Sequence, residues 1–86
     1  MFLGLGFGNS VNSEKIVAIV NPNSIPIKRL ISEAREHRKV IDATYGKKTR
    51  SVVITNEDFV VLACPSTETL TRKLNGRKTS KINPEE

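Results

Sequence analysis

From Lys15 to Arg38 the chain reads K-I-V-A-I-V-N-P-N-S-I-P-I-K-R-L-I-S-E-A-R-E-H-R. Its first six residues, Lys15 to Val20, are mostly β-branched and predict a strand, because branching at Cβ packs well on a pleated surface. Asn21-Pro22-Asn23-Ser24 stops that strand. Ser24 suits a helix N-cap, since its hydroxyl can accept from a free N–H of the first turn. Pro26 fits only in that first turn, where its missing donor is not needed. Ile27, Leu30, Ile31 and Ala34 then recur at i, i+3, i+4 and i+7, the apolar stripe of an amphipathic helix. Lys28, Arg29, Glu33, Arg35 and Glu36 lie off the stripe. Arg35, His37, Arg38 and Lys39 close the segment with the charge sign favoured at a helix C-terminus. The reading is a helix from Ser24 to about His37.

Upstream, Phe2-Leu3-Gly4-Leu5-Gly6-Phe7 alternates glycine with apolar residues and predicts an extended segment that another backbone approaches closely. Asn9 to Ser13 reads as a polar turn. Downstream, three strands are expected: Val40 to Thr44, Arg50 to Thr55 and Phe59 to Cys64. Tyr45-Gly46-Lys47-Lys48 reads as a hairpin connection between the first two, with Gly46 free to take a positive φ. Asn56-Glu57-Asp58 turns the chain again, and Pro65 ends the third strand. Ser66 can cap a short helix through Leu74, with Leu70 and Leu74 on one side and Asn75-Gly76 as its stop. This organisation is one domain over residues 1–75 and a flexible tail over 76–86.

Val52-Val53-Ile54 and Phe59-Val60-Val61-Leu62 do not alternate with polar residues. Such strands need cover on both faces. One helix covers one face, so the short C-terminal helix or a neighbouring subunit must cover the other. The glycine-rich apolar N-terminus is the candidate for subunit contact. Leu, Ile, Val and Phe supply 25 of the 86 residues, above the roughly 20% below which chains are usually disordered. The chain can fold, but with a small core. Cys64 is its only cysteine, so no disulfide staples it, and oligomerisation is the remaining device. The expected fold is α+β: a small antiparallel sheet, one main helix and a short C-terminal helix, assembled as a homo-oligomeric ring.

Several function classes are disfavoured. A secreted disulfide scaffold needs paired cysteines. A transmembrane helix needs about twenty apolar residues in a row, and the longest run here is Phe59 to Cys64. A signal peptide needs a basic start, whereas Met1 to Gly8 carries no charged side chain and is broken by Gly4, Gly6 and Gly8. The expectation is a soluble cytoplasmic protein with no membrane partner. Gly4-Leu5-Gly6-Phe7-Gly8 suggests a nucleotide loop, but Asn9 stands where a dinucleotide fingerprint needs its third glycine. His37 has no second histidine with which to bind a metal. Cys64 lies in an apolar strand, where cysteine behaves as a small buried hydrophobe. Asp42, Glu57 and Asp58 fit strand-end and turn carboxylates better than an acid–base pair. No nucleophile, base, metal set or cofactor loop converges, so neither an enzyme nor a small-molecule substrate is expected.

Charge is more informative. The chain carries 14 Lys and Arg against 9 Asp and Glu, a net +5. Arg35, Arg38, Lys39, Lys47, Lys48 and Arg50 fall in one stretch, opposed there only by Glu36 and Asp42. Lys47 and Lys48 sit at the expected hairpin tip, Lys48 and Arg50 share strand parity, and Lys15 starts an early strand. A solvated surface is the bland reading. A polyanion partner is the other. Aromatic residues are few, which argues against a stacking platform for single strands and for phosphate contact to a duplex.

G-F-G-N at Gly6 to Asn9, a basic residue at Lys15, P-I-K-R at Pro26 to Arg29, and I-D-A-T-Y-G-K-K-T-R-S-V-V-I at Ile41 to Ile54 resemble the bacterial extracellular-matrix regulatory protein RemA family. The resemblance runs from about Gly4 to Leu74. It implies a cytoplasmic, nucleoid-associated transcriptional regulator that binds double-stranded DNA and activates biofilm-matrix genes. It also implies a homo-oligomeric ring with DNA around its basic periphery. The DNA-binding positions it implies are Lys15, Lys47, Lys48 and Arg50. The family carries Arg at the first two and usually at the third, so the match there conserves charge rather than the planar bidentate fork. Pro26 matches a position tied to function, as the residue shaping the helix start. The alternative is a structural or interaction module whose basic face binds an acidic protein or RNA.

Overall fold

A computed structural model describes residues 1–79. The elements in order are β1 (Phe2–Gly6), β2 (Asn9–Asn12), a 3-10 turn (Ser13–Lys15), β3 (Ile16–Val20), α1 (Ile25–Glu36), β4 (Val40–Asp42), β5 (Ser51–Thr55), β6 (Val60–Ala63) and α2 (Thr67–Thr79). The architecture is α+β with two sheets and two helices. β1 and β2 form an antiparallel hairpin, and the other four strands form a sheet in the order β3-β5-β6-β4.

The main helix forms as its sequence predicts. The Ser24 hydroxyl accepts from the Ile27 N–H at 3.3 Å, and Pro26 lies in the first turn. At the other end His37 is the C-cap. The Arg38 N–H reaches the Arg35 carbonyl at 3.1 Å, and the Lys39 N–H reaches the Ala34 carbonyl at 2.8 Å. Arg38 has φ 59°, so this is a Schellman closure built without glycine.

The unalternated strands do serve two faces. Val52, Val60 and Leu62 pack with Ala34 on the side of α1, joined by Ile27, Leu30 and Ile31. Their neighbours Val53, Val61 and Ala63 point the other way and pack with Leu3, Leu5, Ala43 and Leu70. The second face is thus covered within the chain by the N-terminal hairpin and α2. In the glycine-rich N-terminal segment Leu3 and Leu5 are buried in this core, while Phe2 and Phe7 stay more than half exposed.

The sheet is mixed rather than antiparallel. β5 pairs antiparallel with both β3 and β6, while β4 pairs parallel with β6. β3 and β4 therefore run in the same direction, and α1 is the crossover that parallel strands require. The β5–β6 hairpin fills the gap between them. Residues 43–50 are consequently no hairpin loop. They carry the chain from edge strand β4 past the end of β6 to β5, and Lys48 and Arg50 precede β5 rather than sharing a strand face. Residues 9–12, which the sequence places in a polar turn, form β2 instead, because the reversal happens at Phe7-Gly8. α2 starts as expected, with the Ser66 hydroxyl accepting from the Thr69 N–H at 3.1 Å. It does not stop at Asn75-Gly76 but continues to Thr79, since Gly76 is absent from the positive-φ residues. The rest of the expected tail, residues 80–86, lies outside the described residues. Among those described, no helix is long and apolar enough to cross a membrane.

Candidate nucleic-acid interface

Residues 43–50 form a connection clamped at both ends. The Ala43 N–H donates to the Leu62 carbonyl and the Arg50 N–H to the Ala63 carbonyl, both at 2.9 Å. Inside the clamp, Asp42 Oδ1 accepts from the Thr44 N–H at 2.9 Å and from the Thr44 hydroxyl at 2.6 Å. Thr44 is buried, and its carbonyl accepts from Cys64 Sγ at 3.4 Å. The side-chain hydrogen bond from Thr44, then its backbone hydrogen bond, hold the Asp42 carboxyl below the usual aspartate range. Desolvation acts against them, and the nearby Arg35 charge adds a smaller pull in the same direction as the hydrogen bonds.

The chain then reverses sharply. The Lys47 N–H returns to the Thr44 carbonyl at 2.9 Å. The two central residues, Tyr45 and Gly46, have φ of 56° and 81°, the handedness of a type I′ turn. The reversal expected at Tyr45-Gly46 forms, although the strands on either side of it, β4 and β5, are not partners. The turn presents Lys47 and Lys48, with Arg50 two residues on, all exposed. None of these three cations is held in an ion pair among the described residues.

The expected set divides. Lys47, Lys48 and Arg50 gather at the end of the sheet where β5 begins. Lys15 is exposed in the 3-10 turn at the opposite end, where its carbonyl accepts from the Asn56 N–H at 2.9 Å. The five residues of β5 lie between, roughly 16 Å at the usual strand rise. Arg38 and Lys39 follow the C-terminus of α1 at that far end, whereas Arg35, one residue short of that terminus, acts on Asp42. Lys39 is engaged there, donating to the Glu57 carbonyl at 3.1 Å and lying 4.8 Å above the Phe59 ring. One chain thus presents a compact group of three cations and a separate Lys15. Lys28 and Arg29, in the first turns of α1, start from the same end of the sheet as the basic turn, a placement the residue spacing did not reveal.

The sequence reading also missed an aromatic pair. The β1–β2 hairpin turns on Gly6-Phe7-Gly8-Asn9, with Phe7 at φ 56° and Gly8 at φ 82°. The Phe7 and Tyr45 rings stack at 5.3 Å between centroids and 20° between planes. The only available signal was the shared aromatic-glycine dipeptide, Phe7-Gly8 and Tyr45-Gly46. Among the described residues no three His, Cys, Asp or Glu side chains cluster to hold a metal ion.

A basic turn held by part-buried hydrogen bonds stands on a small mixed α+β scaffold, and comparison with known proteins identifies the class. The model of the RemA-like family, described as extracellular matrix regulatory protein A-like, matches residues 2–74, and the chain belongs to that family. A Symbiobacterium thermophilum protein named "Putative regulatory protein STH1338" is 54% identical over 84 residues, covering 98% of this chain and 88% of that one. An Alkaliphilus oremlandii protein named "Putative regulatory protein" is 49% identical over 79 residues, covering 92% and 85%. A Bacillus cereus relative named "Putative regulatory protein BCB4264_A3971" is 48% identical over 77 residues, covering 90% and 88%.

Proposed function

We propose that this protein is a non-enzymatic transcriptional regulator that binds double-stranded DNA as a homo-oligomeric ring, acting on extracellular-matrix genes as its family description suggests. The observation that carries this reading is the clamped turn with Lys47, Lys48 and Arg50 exposed and in no ion pair among the described residues. Cations carried on a fixed backbone and held in no ion pair among the described residues suit phosphates, whose counterions they release on binding. One subunit offers few such contacts and would bind weakly. A ring repeats them, and avidity raises the affinity without new contacts. Repetition also gives Lys15 a role, since a neighbour's basic turn can lie closer to it than its own. Wrapping DNA around such a surface draws specificity from the duplex's deformability.

The test is fluorescence anisotropy on a long duplex at several salt concentrations, with particle mass from light scattering. The wild type should lose affinity steeply with salt and have the mass of several subunits. Lys47→Ala with Lys48→Ala should abolish binding near physiological salt and leave the mass unchanged. A fall to monomer mass in that variant would reassign these lysines to subunit contact. Failure of the wild-type oligomer to bind DNA would turn attention to an acidic protein or RNA.

A further inference from the structure

Phe7 and Tyr45 are in an unusual position for aromatic residues. Each is the first central residue of a tight turn and holds a φ of 56°. A side chain bearing Cβ is strained there, by about 1 kcal/mol or more, and such positions favour Gly, Asn or Asp. Burial offsets that strain only in part, since Phe7 stays 52% and Tyr45 79% exposed. Within the chain the rings stack on one another. Two neighbouring turns therefore each hold a strained aromatic toward solvent, and both turns are tied down by hydrogen-bonded backbone on either side. Two strained aromatics held together largely in solvent point to a contact outside the chain.

The surroundings indicate the kind of partner. Lys47 and Lys48 follow Tyr45 by two and three residues, and Arg50 follows by five. Lysine is depleted at the cores of protein–protein interfaces. Aromatic or apolar side chains beside cations are the pattern of proteins that track a nucleic-acid backbone and touch its bases. We propose that the stacked Phe7–Tyr45 pair is a second, non-ionic part of the DNA interface, packing its rings against the sugar and base edges of a duplex groove while Lys47 and Lys48 hold the adjacent phosphates. This rests on the DNA-binding reading and adds to it a distinct contact. The lysines contribute salt-dependent attraction. The rings contribute a salt-independent one, and as a wedge at a base step they bend the duplex.

Phe7→Gly and Tyr45→Gly test this, because glycine accepts the positive φ and preserves each turn while deleting the ring. Anisotropy on the same duplex should show affinity lowered about tenfold by the double variant, within the range for loss of a base–aromatic contact. The slope of log affinity against log salt should not change. In Lys47→Ala/Lys48→Ala that slope should fall by about two in magnitude for each subunit engaged on the duplex, measured at salt low enough for binding. Tyr45→Phe should bind like the wild type, since the ring and not the hydroxyl makes the contact. End-labelled duplex should show less bending with the glycine variants by energy transfer. Should a glycine variant fail to fold, Tyr45→Asn also tolerates the turn and removes the ring. Wild-type affinity in folded ring-deleted variants overturns the proposal. So does a drop in particle mass, which would make the pair a subunit contact. If the wild type itself binds no duplex, the DNA reading fails and this proposal falls with it, an outcome separable because it precedes any substitution.

Discussion

Asp42 shows how much one side chain can determine. Its carboxylate organises Thr44, and Thr44 in turn anchors the turn that carries the exposed lysines. The Thr44 hydrogen bonds, side chain first, lower the folded-state pKa of Asp42 below its unfolded value. A depressed carboxyl stabilises the fold fully above the unfolded pKa of about 4 and loses that contribution as pH falls through the folded value. Urea midpoints measured from pH 7 downward should therefore fall below about pH 4, and Asp42→Ala should shrink the acid-dependent part of that fall. An identical acid limb in the variant would deny Asp42 this role. Arg38 gives a second prediction at this scale. It occupies the left-handed position after α1, where glycine is preferred. Arg38→Gly should stabilise the fold by about 1 kcal/mol, read as a higher urea midpoint with an unchanged m-value. A lower midpoint would mean that the arginine's own contacts outweigh its backbone strain.

Among the elements, α1 was legible from end to end, because its cap, its stripe and its closing charges all lie within it. The strands were legible as strands but not as partners. Val40 to Thr44 and Arg50 to Thr55 looked like a hairpin because they are consecutive and joined through Tyr45-Gly46. Pairing, however, follows burial, and the α1 crossover returns β4 in the direction of β3, which makes it parallel to β6. The apolar β5–β6 hairpin, which needs cover on both faces, took the centre, and short β4, with Ile41 exposed, took an edge. α2 is legible at its start and misread at its end, since Asn75-Gly76 stops a helix only when glycine turns left-handed. The helix is held to the sheet by Leu70, fully buried among Leu3, Leu5, Val53 and Val61. Leu70→Ala should cost about 3 kcal/mol through lost burial and the cavity left behind, measured by denaturant unfolding. A loss under about 1 kcal/mol would mean α2 settles into the space.

For the whole molecule, two small clusters either side of one sheet make up the core, while Met1, Phe2, Val17, Ile25 and Ile41 remain at the surface. Apolar surface of that extent on so short a chain suits the proposed self-association. If subunits associate only when folded, mass action stabilises them. The melting temperature should then rise with protein concentration over a hundredfold range, and a flat dependence would remove the oligomer from the proposal. Assembly is also the scale at which the four expected DNA-binding residues can act together. Within one chain Lys15 lies at one end of the sheet, and Lys47, Lys48 and Arg50 lie at the other.

The sequence by itself determined what depends on neighbours within a few residues: the capped helix after Ser24, the cap at Ser66, the reversal at Tyr45-Gly46, the two-sided apolar strands, and the motifs of the RemA-like family. These rest on short-range hydrogen bonds and on side-chain periodicity, which a short window contains. Only the tertiary structure decided the strand order, the parallel edge, the burial of Leu3 and Leu5 within their own chain, and the stacking of Phe7 on Tyr45 across 38 positions. Those depend on which distant apolar faces exclude water together, a choice made by the whole chain at once. The basic residues belong to both lists. Their charge was legible in the sequence, but the end of the sheet each one occupies was settled by the crossover.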